Sequence, residues 1–219
     1  MKRIPEHIGI IPDGNRRWAV ERGLAKEEGY AAGLQPGCEL LRLCREAGVK
    51  EVTYYGFTVD NTKRPAAQTK AFSHACIQAV ELLSKESATL RVIGNRDSKM
   101  FPRELIPYTQ RQTFGADGID GIDGIKVNFL VNYGWEWDLS GLSRPQGREE
   151  LRGQLHSADV TRVDLIIRWG GRRRLSGFLP VQSIYADFFV VDDYWPDFKQ
   201  AHFRAALAWY REQDITLGG

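Results

Sequence analysis

His7-Ile-Gly-Ile-Ile-Pro-Asp-Gly-Asn-Arg-Arg-Trp18 is the stretch on which the fold turns. Residues 7–11 form a short apolar run, too brief for a helix and bounded by turn residues, so they read as a buried strand. Pro12-Asp13-Gly14-Asn15 stops that strand abruptly in a turn cluster. The same arrangement recurs outward along the chain. Residues 51–57, rich in β-branched and aromatic side chains, read as a second strand with a polar stretch after it. Further strands are expected at 90–93, 125–131, 163–167 and 187–191. Between them lie helical patterns. Over 29–47, Leu34, Leu40, Leu41, Leu43 and Cys44 recur at helical spacing, with Gly48 as the C-cap. Over 66–83, Phe72, Ala75, Cys76, Ala79, Val80 and Leu83 share one face. Helices also fit 103–112, 147–155 and 197–213. Strands alternating with helices predict an α/β fold, an open, mostly parallel sheet flanked by helices on both faces. A chain of 219 residues suits one such domain spanning 1–219. Ligands of these sheets bind beyond the carboxyl ends of the strands, which is where the polar clusters of this sequence fall.

The bulk composition narrows the class. Hydrophobic residues make up 42% and charged residues 26%, enough apolar material for a core in an ordinary globular protein. A net charge of +2 gives no field for nucleic acid or a membrane surface, so nucleic acid is not an expected partner. The N-terminal apolar patch is broken by Pro12 and Asp13, so neither a signal peptide nor a transmembrane segment is expected. Cys38, Cys44 and Cys76 are odd in number and lack CxxC spacing, which predicts reduced thiols and a cytoplasmic location. The Asp-Gly repeat at 117–124 lacks the ligand order and closing Glu of a calcium loop and reads as a loop before a strand.

Three polar clusters carry chemistry, each placed after a strand. In the first, Asp13-Gly14-Asn15-Arg16-Arg17, the glycine permits a tight turn that aims N–H groups at an anion. Arg16 and Arg17 add guanidinium groups suited to phosphate oxygens. A carboxylate there makes sense with a divalent cation between it and the phosphate, since Mg²⁺ is commonly held by one or two carboxylates plus substrate phosphates. The alternative is a surface turn with a structural Asp. The second cluster is Thr58, Asp60, Asn61, Lys63 and Arg64. The third, Arg168-Trp-Gly-Gly-Arg-Arg-Arg174-Leu-Ser176, is a second plausible oxyanion site or a solvated charged loop. Two anion sites and one carboxylate for a metal suggest two diphosphates brought together.

These stretches resemble the cis-prenyltransferase (undecaprenyl diphosphate synthase-like) family. HIGIIPDGNRRWA looks like its opening signature and YGFTVDNTKRP like its second block. VNYG, VDLIIRWGGRRRLSGFLPVQSIYADFF and WPDF follow in the family's order, so the likeness runs from His7 to Phe198. The resemblance implies an open α/β sheet in a homodimer, Mg²⁺ as cofactor, and prenyl diphosphate substrates. Its activity is condensation of an allylic diphosphate with isopentenyl diphosphate. By matching position, Gly14, Asn15, Arg16, Arg17, Lys26, Tyr30 and Arg64 bind the allylic diphosphate. Asp13 is the metal-associated carboxylate, joined by Asp187 where the family has Glu. Thr58 and Asn61 lie near the reacting carbons with Asp13 and Arg64. Arg168, Arg174 and Ser176 hold the second diphosphate. Phe72, Ala75, Cys76 and Val80 face the prenyl tunnel or pack in the core, and Trp135 adds bulk beside it. Phe72 as tunnel floor predicts a short product, on the order of ten to twenty carbons.

The sequence also departs from the family pattern. Tyr30 replaces a His, Lys26 an Arg, and Thr62 an aromatic residue. Trp135 and Glu136 replace Gly-Arg, Arg172 reverses the charge of a Glu, and Pro180-Val181 replace Leu-Trp. The tail from Ile215 to Gly219 lacks the family's Arg-x-Gly. Gly29-Tyr30 and Phe178-Leu-Pro180 look like the irregular, lavandulyl-type branch, which couples dimethylallyl-type units head-to-middle and sometimes cyclises the product. Regular condensation is therefore the first expectation and irregular coupling the second. A terpene-synthase-like reaction on one diphosphate is the third. A non-enzymatic accessory subunit is last, because Asp13, Asn15, Arg17 and Arg64 are intact. Asp192-Asp193-Tyr-Trp-Pro-Asp197 is similar to an aspartate-rich motif but carries Pro196, so it reads as a turn before the last helix. The four histidines lack zinc spacing.

Overall fold

The computed structural model describes residues 3–115 and 124–214; most of the Asp-Gly repeat and the tail from 215 onward lie outside them. Seven strands form one sheet in the order β4-β3-β5-β2-β1-β6-β7. They are β1 (His7–Ile11), β2 (Glu51–Tyr55), β3 (Ala88–Ile93), β4 (Gln112–Phe114), β5 (Ile125–Leu130), β6 (Leu165–Arg168) and β7 (Asp187–Val190). Every neighbouring pair is parallel except β3 with β4. From β1 the chain moves to β2 on one side and returns much later to β6 on the other. The crevice between β1 and β6 is therefore the switch point of the sheet, where ligands of open α/β folds bind. Register places Ile11 opposite Arg168, so the loops carrying Asp13 and Arg174 leave the sheet side by side.

Seven α-helices accompany the sheet among the described residues. They are α1 (Asn15–Glu21), α2 (Glu28–Ala32), α3 (Leu34–Glu46), α4 (Ala66–Leu83), α5 (Trp135–Leu139), α6 (Arg148–Gly153) and α7 (Gln200–Arg211). On one face, Leu40, Leu41 and Cys44 of α3, Cys76, Val80 and Leu83 of α4, and Phe203, Ala206 and Leu207 of α7 bury against Ile8, Ile10, Val52, Leu90, Val127 and Ile167. The other face is thinner. Ile11, Tyr55, Leu130 and Ile166 there meet Val160, Val163, Phe178 and Leu179, with Trp137 of α5 at the margin.

The helix expected over 29–47 is two helices, α2 and α3, parted at Gly33. Pro36 is the cause: in a continuous helix its ring would clash with the carbonyl four residues back, at Ala32. With α3 starting at Leu34, Pro36 falls in the first turn, where an N–H has no helical partner to lose. The Trp195 indole donates to the freed Gly33 carbonyl at 2.8 Å. The helix expected over 103–112 is a 3₁₀ segment, Arg103–Thr109, interrupted by Pro107 and followed by the antiparallel edge strand β4. The last helix starts at Gln200 rather than 197, because Trp195–Asp197 forms a 3₁₀ turn around Pro196. Helices α1 and α5, of seven and five residues, are too short to show a helical period in sequence.

Candidate active site

The loops after β1, β2 and β6 meet in a cleft of about 690 Å³ at the carboxyl ends of the strands. Gly14, at φ +104°, turns the chain out of β1 into α1, and a side chain there would strike Tyr194 at 2.6 Å. That turn sets Asn15, Arg16 and Arg17 on the first turn of α1, whose leading N–H groups lack helical partners. The Asp13 carboxylate stays at the mouth of the turn. Its Oδ1 accepts from the Gly14 N–H at 2.6 Å and lies 3.5 Å from Arg17 Nη2; its Oδ2 accepts from Arg168 Nη2 at 2.8 Å. Burial alone would raise the Asp13 pKa, but Arg168, Arg17 and the Gly14 N–H together hold it below the ordinary carboxylate value.

Arg168 ties the two sides of the switch point together. Its side chain is only 4% exposed. One Nη reaches Asp13, while the other donates to Ser176 Oγ at 2.9 Å and to the Arg174 carbonyl. Ser176 sits at φ +53°, held there by the Tyr55 hydroxyl, which donates to its carbonyl at 2.7 Å. Arg168 thus fixes the spacing between the Asp13 loop and the arginine-rich loop. Arg172 and Arg174 extend into the cleft, exposed. On the β2 side, Thr58 and Asn61 cap each other: Asn61 N–H donates to Thr58 Oγ1 at 3.3 Å and Thr58 N–H to Asn61 Oδ1 at 3.2 Å. This fixes the Asn61 side chain beside the cleft. Arg64 donates to the Tyr30 hydroxyl at 3.1 Å. Burial lowers the Arg64 pKa and the neighbouring Arg16 charge adds to that, yet a guanidinium stays protonated. Among the described residues no carboxylate lies within 4 Å of it, and Asp13 acts on it only from further off.

A second cavity, about 80 Å³ and apolar, opens behind the first. Pro12, Asn15, Tyr30, Gly56 and Phe72 line both spaces. At this neck the Tyr30 and Phe72 rings stack at 4.5 Å, nearly parallel, and the Arg64 guanidinium lies 5.6 Å from the Phe72 centroid. Ala75, Cys76, Ala79 and Leu83 of α4 form one wall, and Gly33, Gly37 and Cys38 another. Tyr54 and Phe129 close it against the sheet, edge to face at 6.5 Å, with the Tyr54 hydroxyl anchored to the Gly37 carbonyl at 2.8 Å. A water-sized occupant needs about 10–15 Å³ by this measure, so the cavity accommodates roughly five to eight atoms of methylene size.

Residues 11–218 match the family model described as putative undecaprenyl diphosphate synthase. The chain belongs to this prenyltransferase family. An isoprenyl transferase from Leptospira interrogans is 30% identical over 99% of this chain and 95% of its own length. A ditrans,polycis-undecaprenyl-diphosphate synthase from Pseudomonas aeruginosa is 33% identical over 98% of this chain and 91% of its own. Among solved structures, lavandulyl diphosphate synthase from Lavandula x intermedia, in complex with dimethylallyl diphosphate, superposes with a TM-score of 0.83 over 98% of both chains. At 22% identity that likeness shows the shared fold.

Within the family frame, most residues singled out from sequence converge. Asp13, Gly14, Asn15, Arg16, Arg17, Lys26, Tyr30, Thr58, Asn61, Arg64, Arg168, Arg174 and Ser176 all line the cleft. Four placements differ from the expectation. Asp187 opens β7 opposite Leu165, level with Ile8, so it lies at the amino end of the sheet. From Ile8 to Ile11 alone is about 10 Å of strand, and Asp13 lies beyond that. Asp187 faces Arg3 at 3.8 Å and shares no metal with Asp13 of the same chain. Its place as the first residue of a parallel strand was the available signal. Val80 does not line the apolar cavity; it packs in the core while Ala79 and Leu83 take the lining positions. Trp135 is 44% exposed at the start of α5, against Gly177, away from that cavity. Phe72 stands at the neck and not at the floor. Sequence reasoning did not single out Glu21, Tyr55 or Tyr194 as cleft residues, although Tyr55 opens the YGFTVDNTKRP stretch and Tyr194 lies within Asp192–Asp197.

Proposed function

We propose that the chain is a Mg²⁺-dependent enzyme that condenses an allylic prenyl diphosphate with isopentenyl diphosphate, giving a short cis-prenyl diphosphate. The carrying observation is the cleft's charge: seven cationic side chains against three carboxylates, an excess of four positive charges. That exceeds the charge of one diphosphate ester, and a divalent cation would widen the excess. It favours two diphosphates over the single one of a terpene-synthase-like reaction.

A metal fits one protein carboxylate here. Asp13 Oδ2 keeps a lone pair beyond its bond to Arg168, and no cluster of three or more His, Cys, Asp or Glu exists among the described residues. Such a site matches Mg²⁺ held by one carboxylate, substrate phosphate oxygens and water. When bound, the cation neutralises charge gathering on the leaving diphosphate. The chain's own residues do the rest. Arg16, Arg17, Lys26 and Arg64 hold the allylic diphosphate, with its prenyl chain directed past Tyr30 and Phe72 into the apolar cavity. Arg174 and Ser176 hold the second diphosphate. Arg168 keeps the two subsites at fixed separation, so the two substrates react from a preset geometry. The apolar walls exclude water from the electron-poor allylic carbon.

The cavity's size favours a donor chain of about five to eight carbons. It also supports a second reading, head-to-middle coupling of two dimethylallyl-type units, because a five-carbon donor fits. The deciding experiment incubates the purified protein alone with Mg²⁺ and dimethylallyl, geranyl or farnesyl diphosphate, each with and without isopentenyl diphosphate. Products are identified by mass spectrometry and NMR. Isopentenyl-dependent cis products that stop short support condensation. Branched products from dimethylallyl diphosphate alone support irregular coupling. No turnover by the pure protein, or full turnover in EDTA, overturns the reading. The free, buried cysteines are consistent with a cytoplasmic enzyme, and no helix among the described residues is long and apolar enough to cross a membrane. Ile184, 70% exposed, and Tyr185 beside the edge strand β7 support a homodimer, which light scattering would test.

A further inference from the structure

Residues 191–197, which contain the aspartate-rich segment, form a strap across both anion loops. The Gly170 N–H donates to the Asp193 carbonyl at 2.9 Å, the Gly171 N–H to the Val191 carbonyl at 3.1 Å, and the Trp195 N–H to the Asp13 carbonyl at 3.0 Å. The Asp197 carboxylate accepts from the Trp18 indole at 2.8 Å and from Arg22 at 3.0 Å, which fastens the strap to α1. Trp195 lines the apolar cavity and Tyr194 lines the cleft. The Tyr194 ring packs on the α-carbon of Gly14, and the Arg17 guanidinium lies over it, 5.0 Å from the centroid. Its hydroxyl donates to Glu21 at the end of α1.

We infer that Tyr194 is a positioning residue for Arg17 in the first diphosphate subsite, with Glu21 fixing the ring. Arg17 has two attractions available. One is Asp13, at a loose 3.5 Å; the other is the face of Tyr194. A full collapse onto Asp13 would cancel both charges that a metal–diphosphate needs. The ring offers the guanidinium a competing resting place that costs no donor, because a cation–π contact leaves the N–H groups free. It also restricts a long side chain before the ligand arrives, which lowers the ordering cost of binding. Glu21 anchors the phenol to α1, so ring and arginine move as one unit.

This inference rests on the diphosphate reading, so the test separates the two. Inorganic pyrophosphate binding is measured by calorimetry, and KM and kcat for the allylic substrate by turnover. The proteins are wild type, Tyr194→Leu, Tyr194→Phe, Arg17→Ala and the Arg17→Ala/Tyr194→Leu double variant. Tyr194→Leu is expected to raise the pyrophosphate Kd and the allylic KM about three- to tenfold, with kcat changed less. Tyr194→Phe keeps the ring and should lie closer to wild type. In the Arg17→Ala background, Tyr194→Leu should add nothing. An equal loss in both backgrounds, an unchanged Kd in Tyr194→Leu, or a Tyr194→Phe as impaired as Tyr194→Leu overturns the role. Should Tyr194→Leu fail to fold, Tyr194→Met replaces it, alone and in the Arg17→Ala background, with the same expected and overturning outcomes. Absence of pyrophosphate binding by the wild type would instead overturn the diphosphate reading itself.

Discussion

The two ends of the sheet each carry a cluster of charged and polar side chains, and they behave oppositely. At the amino end, Glu51 is buried and accepts from Asn128 at 2.6 Å, from Thr161 at 2.7 Å and from Lys126 at 3.2 Å. Arg111 bonds Asn128 Oδ1 at 2.6 Å and Asp159 at 2.7 Å, and His7 meets Thr53 at 2.8 Å. Two carboxylates face three cations, an excess of only one, and none of these residues leaves a buried polar side-chain atom unpaired, although the adjoining Arg162 Nε is buried without a partner. At the carboxyl end, positive charge is in surplus, and Asn15 Oδ1 and Arg168 Nε are buried without partners. Burial of charge therefore does not mark the site. Unspent hydrogen-bonding capacity and uncompensated charge do, because a closed network has nothing left to offer a ligand.

The largest expected effect tests that contrast directly. Asp13→Ala should lower kcat/KM at saturating Mg²⁺ by about 10²–10³-fold, the scale of losing one charge-stabilising group. It also strips the buried Arg168 of its counter-charge, so about 2–3 kcal/mol of stability should go too, reduced from the usual cost by Asp13's partial exposure. Asp13→Asn should spare most of that stability and still lose the activity. Glu51→Ala, at the closed end, should do the reverse: about 3–5 kcal/mol less stable, with turnover per folded molecule within about twofold of wild type. Denaturant melts beside steady-state assays decide both, and a Glu51 variant as inactive as the Asp13 variants would break the comparison.

Within the open end, Arg168 and Arg174 should differ. Arg174→Ala removes a charge-assisted contact worth about 1.5–3 kcal/mol and should raise KM for the second diphosphate alone. Arg168→Ala frees Asp13 and Ser176 together and should impair both substrates; equal, selective effects from the two variants would dismiss the spacing role. A smaller change is expected at Gly37, where an added side chain meets nothing within 4 Å and faces the apolar cavity. Gly37→Ala should stabilise α3 by up to about 1 kcal/mol, while Gly37→Leu should fill the cavity and restrict turnover to the shortest allylic substrate. Unchanged use of geranyl and dimethylallyl diphosphates by Gly37→Leu would place the prenyl chain elsewhere.

The smallest effect is in pH dependence at the closed end. Burial holds the His7 pKa below its ordinary 6.5. The unfolded chain then binds a proton that the folded chain refuses. This stability is full above about pH 6.5 and is lost as pH falls through the folded value. Burial would raise Glu51, but His7, Thr161, Asn128 and Lys126 hold it below its ordinary 4.5, so a second loss begins below about that pH. Urea midpoints from about pH 8 to about pH 4 should fall on acidification, and Glu51→Gln should flatten the lower part; a flat wild-type profile would sever the link.

The sequence by itself determined what depends on neighbours in the chain. The apolar run at His7–Ile11, the turn forced by Pro12-Asp13-Gly14, and the amphipathic span Ala66–Leu83 follow from local sterics and periodicity, and the structure keeps those boundaries. The clusters after β1, β2 and β6 were legible for the same reason. Pro36 was legible too, but periodicity ran across it and concealed the break between α2 and α3. Only the tertiary structure decided the rest. Strand order brought β6 beside β1, which makes Arg168 a link between two loops. Pairing of β2 with β5 set Phe129 beside Tyr54 and closed the apolar cavity, moving Phe72 from its floor to its neck. Tyr194 reached Gly14 and Arg17 across some 180 residues of chain. Such contacts leave no periodic trace, because what selects them is the burial of two surfaces that meet only after the sheet has formed.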